Sequence, residues 1–245
     1  PPAANPIPVA ADTLCMTTTF ADLFERAAEY DVSAEAVNAA LVERRSASGD
    51  DSGTTTEVAS DVSDTDDLPP VDRDPSPARV VADADVLAAD LLVGGPAREA
   101  LDALRSHAWT TLVASDPLLD DAEAVVASLA DDGLAADWRG AVEAWREPVA
   151  QPAADHPALA SAYRGGAMQV VSLDPSLTGP QAAAGLRNRM PVSVREPRAF
   201  ATVFSPARLY PEAVGGEYPG PDRDPRSMEP VDIGTDRHPG EDQHR

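Results

Sequence analysis

Residues 155–179 read DHPALASAYRGGAMQVVSLDPSLTG, and the order of signals within them decides the fold. His156-Pro157 opens a helix, because a proline in the first helical turn gives up an N–H that has no partner there anyway. The helix runs to Tyr163, and Gly165-Gly166 ends it. Met168 to Leu173 (MQVVSL) is then a short apolar run of strand length, closed by the turn pair Asp174-Pro175. A helix feeding a buried strand is part of a crossover unit, so the same alternation should recur on either side.

It does recur. Arg79 to Ala82 (RVVA) reads as a strand, followed by a helix through Val86, Leu87 and Leu91. Gly94-Gly95-Pro96 breaks that helix and PAREALDALRSH starts another. Trp109 to Ala114 (WTTLVA) is a second strand. Ser115 and Asp116 cap a helix that turns Leu118, Leu119, Ala122, Val125, Val126 and Leu129 inward. Leu134 to Trp145 is amphipathic. Pro191 to Arg195 (PVSVR) is a further strand, with a helix through Phe200 and Val203 behind it. Strands separated by helical crossovers predict a parallel sheet covered by helices on both faces. Ligands of such sheets bind outside the carboxyl ends of the strands.

Acidic residues collect at those ends. Asp83 follows the first strand and Asp174 the third. Asp155 precedes the helix that feeds the third strand, and Asp120 and Asp121 lie in the helix after the second. Each alone has a plain reading: a turn residue, a helix-opening carboxylate favoured by the macrodipole, or a solvated face. Together at one edge they predict an acidic pocket.

Four segments now carry a resemblance to the PIN-domain nucleases. VVADADVL looks like that family's first strand and leading Asp. LVASDPLLDDAEAVVASL is similar to its second motif, a Ser ahead of a helix bearing an acid. The 155–179 segment resembles its Asp, helix, buried strand, hydroxyl residue, spacer and Asp. PVSVREPRAFATVF resembles the last strand and helix. The resemblance implies an α/β fold: a PIN-like three-layer domain with a parallel sheet of order 3-2-1-4-5. It implies Asp83, Asp121, Asp155 and Asp174 as catalytic metal carboxylates, with Asp121 (or Asp120) where Glu is usual. Ser115 and Ser172 match its hydroxyl positions, while Ala84 stands where a hydroxyl residue and Asp85 where Asn or Ser is common. The cofactor implied is Mg²⁺ or Mn²⁺, which prefers oxygen donors. The substrate implied is RNA, cleaved at its phosphodiester bonds as by an endoribonuclease. Arg164, Arg187 and Arg189 are the candidates for phosphate contact.

Outside the domain, expected at 79–211, the chain changes character. Residues 18–45 predict a helical hairpin: Phe20, Leu23, Phe24 and Ala27 recur at helical spacing, and Ser33 caps a second helix carrying Val37, Ala40 and Leu41. Such a pair resembles half of a helix-turn-helix, and its plain reading is a docking or dimerising element for a protein partner or a homodimer. Residues 46–78 (Ser, Thr, Asp, Pro) and 212–245, with His238 and His244, predict disordered segments, having too few large apolar residues to offset the entropy of ordering. Residues 1–17 are expected to be disordered or an upstream artefact, with Met16 the true start.

Composition sets the remaining limits. Of 245 residues 42 are Asp or Glu against 19 basic ones, all Arg, for a net charge of −23. The acidic, lysine-free composition resembles that of halophilic archaeal proteins, whose carboxylates salt screens. It withholds the basic surface that draws nucleic acid at long range. Cys15 is the single cysteine, which excludes an intrachain disulfide and a cysteine zinc site. The chain has no apolar run of membrane-span length and no signal-peptide pattern near its start, so a cytoplasmic place without membrane contact is expected. Two further classes compete with a nuclease: a non-catalytic PIN-like scaffold whose hairpin binds a protein, and a receiver-like domain built on Asp83 and Asp85. The second lacks the lysine that a receiver needs.

Overall fold

The computed structural model describes residues 18–50 (side chains through Ala47), 73–151, 156–181 and 191–231. Five strands form one all-parallel sheet: β1 (Ser76–Ala82), β2 (Thr111–Ser115), β3 (Glu147–Val149), β4 (Ala167–Val171) and β5 (Ser193–Arg195), in the order β3-β2-β1-β4-β5. The expected 3-2-1-4-5 order is therefore the order found. β1 begins at Ser76, inside the stretch expected to be linker, because the Ser76 N–H donates to the Gly166 carbonyl at 2.9 Å and Ser76 pairs with Ala167. β3 has no sequence signature. It is three residues around a proline, which only an edge strand tolerates, and it exists because Val113–Ser115 supply a ladder for it.

Helices accompany the strands among the described residues. They are α3 (Ala84–Leu92), α4 (Gly95–Arg105), α5 (Asp116–Leu129), α6 (Asp132–Trp145), α7 (Pro157–Gly165), α8 (Pro175–Thr178), α9 (Pro197–Val203) and α10 (Pro206–Ala213). α7 packs against β1, β2 and β4, while α3 to α6 pack on one another. Two glycines set the α7 crossover. A Cβ on Gly165 would meet Val113 Cγ1 at 2.2 Å, so only glycine allows α7 this close to β2. Gly166 takes the left-handed conformation (φ 62°) that caps the helix and turns the chain into β4.

Every residue of α3 is buried. A helix buried on every face must be covered on all sides, and the hairpin supplies the cover that α4 and α5 do not. α1 (Phe20–Ala27) lies against α3 and α6, and α2 (Ala34–Asp50) against α3 and α5. A capping box between Thr19 and Asp22 starts α1. The hairpin's apolar face, Phe20, Leu23, Phe24, Ala27, Val37 and Leu41, is buried within its own chain.

Charge helps to place α1. Arg105 is fully buried, forks onto Asp90 at 2.8 and 2.9 Å and reaches Asp102 at 2.7 Å. Phe20 covers it from above, 4.6 Å from the guanidinium, and Arg98 lies 3.8 Å over the Phe24 ring.

The expectation of disorder from residue 212 onward is corrected as far as Val231. The Tyr218 hydroxyl meets His107 Nε2 at 2.6 Å, Asp222 accepts from the Ala108 N–H at 2.6 Å, and the Arg226 carbonyl accepts from the Ala21 N–H at 3.1 Å. Met228 packs on the core. A polar average concealed these few anchors, each of which fits between elements remote in sequence. The linker expectation fails at its start as well, since α2 continues past Arg45 to Asp50. Among the described residues no helix is long and apolar enough to cross a membrane.

Candidate functional site

β1 and β4 are neighbours at the centre of the sheet, so the residues that follow them emerge side by side. The Asp83 N–H donates to the Val171 carbonyl at 2.8 Å, extending the ladder by one residue. Asp83 then caps α3, its Oδ1 accepting from the Ala84 N–H at 2.8 Å. Beside it Ser172 leaves β4, and its hydroxyl lies 3.0 Å from Asp83 Oδ2 and 3.4 Å from Asp85 Oδ2. The same hydroxyl accepts from the Asp174 N–H at 3.0 Å. The carboxylates of Asp83 and Asp85 and the backbone N–H of Asp174 therefore meet around one serine at the carboxyl edge of the sheet.

Asp83 and Asp85 are both buried. Two like charges about 4 Å apart at an effective dielectric near 20 repel by roughly 4 kcal/mol, and the serine has one proton to give. Burial, with the Asp83 charge second, pushes the Asp85 carboxyl well above the usual carboxylate range. Asp85 Oδ2 accepts from the Leu173 N–H at 3.0 Å, but its buried Oδ1 has no partner. Asp174 turns Oδ1 to the Ser176 N–H at 2.7 Å.

Asp121 joins the group through a residue outside the predicted site. Arg45, from α2, donates from one terminal nitrogen to Asp83 Oδ1 at 3.0 Å and from Nε to Asp121 Oδ2 at 3.1 Å. Its other terminal nitrogen lies 3.3 Å from His156 Nε2. Burial, with Arg45 among the charges beside it, holds the His156 imidazole below its usual pKa. Asp120, one residue from Asp121, faces α6 instead and pairs with Arg139 at 2.7 Å. The open choice between the two thus falls to Asp121. A cleft of about 370 Å³ lies between α2 and this edge, with Leu41, Arg45, Asp85 and Asp174 in its walls.

Other expected members stand elsewhere. Asp155, Arg187 and Arg189 lie outside the described residues. The Ser115 hydroxyl donates to Gln151 Oε1 at 2.7 Å, and the Ser115 N–H donates to Ser161 Oγ at 3.0 Å, so this residue joins β2 to α7. Arg164 ends α7 at the opposite, amino edge of the sheet, two residues before Gly166 meets the backbone of Arg73 and Asp74 ahead of β1. It is withdrawn as a phosphate contact for this pocket.

The donors suit a hard divalent ion: they are carboxylate and hydroxyl oxygens, and the orphaned Asp85 Oδ1 lacks a cation or proton donor. Their present spacing does not suit one. Among the described residues no three His, Cys, Asp or Glu side chains are grouped so as to hold a metal ion. The Arg45 guanidinium stands between Asp83 and Asp121 in its stead.

Residues 74–226 match the family of unknown function DUF7384. The chain belongs to that family. The matched segment contains Asp83, Asp85, Asp121, Ser172 and Asp174 and extends through most of the docked C-terminal stretch, while Arg45 precedes it. No curated protein and no solved structure matches the chain.

Proposed function

We propose that the carboxyl edge is the site of a divalent-cation-dependent phosphodiesterase acting on RNA, an endoribonuclease of the PIN-like kind, working in the cytoplasm. One observation carries this reading: Asp83 and Asp85 share the Ser172 hydroxyl at the ends of the two central strands, Asp174 lines the same cleft as Asp85, and the buried Asp85 Oδ1 has no hydrogen-bond partner. A pocket of buried carboxylates with an unsatisfied oxygen calls for a proton or a cation. Asp83, Asp85 and Asp174, with Asp121, would hold Mg²⁺ or Mn²⁺. A bound divalent ion supplies Lewis acidity toward a phosphodiester and toward water. Ser172 bonds Asp83 and lies beside Asp85, and the backbone N–H groups of Ala84, Leu173 and Ser176 orient one oxygen each of Asp83, Asp85 and Asp174.

The test is cleavage of single-stranded RNA with Mn²⁺ or Mg²⁺, assayed at high salt, where a chain of charge −23 is best screened. Asp83→Asn and Asp174→Asn should each abolish cleavage. Asp116→Asn should leave it within about twofold, since that exposed carboxylate pairs with Arg146 on the protein surface. Retained cleavage in Asp83→Asn would overturn the site. The scaffold reading is favoured by a different observation, that Arg45 already neutralises Asp83 and Asp121 without any metal. Wild-type protein that binds Mn²⁺ but cleaves neither RNA nor DNA would decide for it.

A further inference from the structure

All three nitrogens of the Arg45 guanidinium are engaged, with Asp83, Asp121 and His156. The side chain is three-quarters buried, at 26% exposure. Both oxygens of Asp83 are engaged: Oδ1 takes Ala84 and Arg45, and Oδ2 takes Ser172. A divalent ion can bridge Asp83 and Asp121 only where the guanidinium now sits. Two cations cannot share that place, since their mutual repulsion adds to the loss of solvation each has undergone.

The way α2 is fastened would let the arginine leave without unfolding the molecule. Val37 and Leu41 are buried, and they anchor the helix. Beyond Leu41 the described side chains are exposed apart from Arg45, with Val42 at 66%. Arg44 adds a longer contact to Asp121 at 3.6 Å. The far half of α2 is thus held to the site through charge rather than apolar burial.

We propose that Arg45 is a resident counter-cation that inhibits the pocket in cis: it and a divalent metal compete for Asp83 and Asp121. The proposal rests on the metal reading of the same pocket. In the metal-free protein the guanidinium keeps the carboxylates paired and the site closed to metal. Metal entry requires the side chain to swing into the neighbouring cleft, where Ser46 and Asn38 line the wall.

The experiment measures Mn²⁺ affinity at fixed ionic strength, by paramagnetic resonance of the free ion, with thermal melting with and without Mn²⁺ beside it. Wild type, Arg45→Ala, Arg45→Gln, Arg26→Ala and the double variant Asp83→Asn/Arg45→Gln are compared. Arg26 carries the same charge on the same hairpin but pairs with Asp137 on the surface, so its loss controls for net charge. At least tenfold tighter Mn²⁺ binding in both Arg45 variants, unchanged binding in Arg26→Ala, and loss of the gain in the double variant support the proposal. So does an Arg45 variant that folds only with Mn²⁺ present. Equal or weaker binding in the Arg45 variants overturns it, and leaves the metal site standing if wild-type binding still needs Asp83. A gain shared by Arg26→Ala, or one that survives Asp83→Asn, also overturns it, as do variants that stay unfolded with Mn²⁺. Absence of Mn²⁺ binding in every variant removes the metal reading as well.

Discussion

Asp85 shows how one side chain sets a pH dependence. Its carboxyl is raised by burial and by the Asp83 charge, so between the unfolded value of about 4 and its folded value the folded state binds the extra proton. That stabilisation is complete below the unfolded value and is lost as pH rises through the folded one. Asp85→Asn removes this loss, keeps an acceptor for the Leu173 N–H and places an amide donor beside Asp83. Compared by urea unfolding in EDTA, the variant should gain on wild type steadily from pH 4 upward and be the more stable at pH 8. A difference that stays flat with pH would show that Asp85 is not the raised group. His156 works in the other direction, since a lowered imidazole favours the fold above about pH 6.5 and opposes it as pH falls; both proteins share it, so it cancels. At this scale the sequence marked Asp83 and Asp174 through their place after strands. It also held an unread signal for Arg45, which follows Val37 and Leu41 at successive four-residue steps and so lies on the buried stripe of α2. Arginine on such a stripe needs a carboxylate partner, and the sequence offers too many acids to say which.

Among the elements, α7 lies close against β2. Gly165 has no room for a methyl group, because the added Cβ would sit 2.2 Å from Val113 Cγ1. Gly165→Ala should cost about 1–3 kcal/mol by overpacking. In the double variant with Val113→Ala the two losses should sum to clearly more than the measured total, a coupling that thermal or urea unfolding reads directly. Strict additivity would mean that α7 can move off β2 at little cost. The consequence reaches the site, since His156, at the N-cap of α7, touches Arg45. The glycine pair was legible as a helix end. That Gly165 is a packing contact was not, because nothing local in GG says what faces it.

The whole molecule is larger than the alternating segment. The hairpin closes over α3 at one end of the chain, and residues up to Val231 return to meet it, the Ala21 N–H bonding the Arg226 carbonyl and Arg226 pairing with Asp102 at 3.1 Å. Truncation after Val214 removes Tyr218, Asp222, Arg226 and Met228, and should lower stability by roughly 2–5 kcal/mol, the range for losing one large core side chain; an unchanged unfolding midpoint would show that the docked stretch contributes nothing. By itself the sequence determined the alternation of strand and helix, and with it the parallel sheet and the edge where Asp83 and Asp174 emerge. Those features follow from backbone period and from turn residues, which act within a few positions of themselves. Tertiary structure alone decided the rest. β3 became a strand because β2 offered it a ladder, Asp121 rather than Asp120 faced the pocket because α2 lies on that side of α5, and the hairpin covered its own domain. Each of these depends on a surface made by residues far away in the chain, and a local pattern carries no record of that surface.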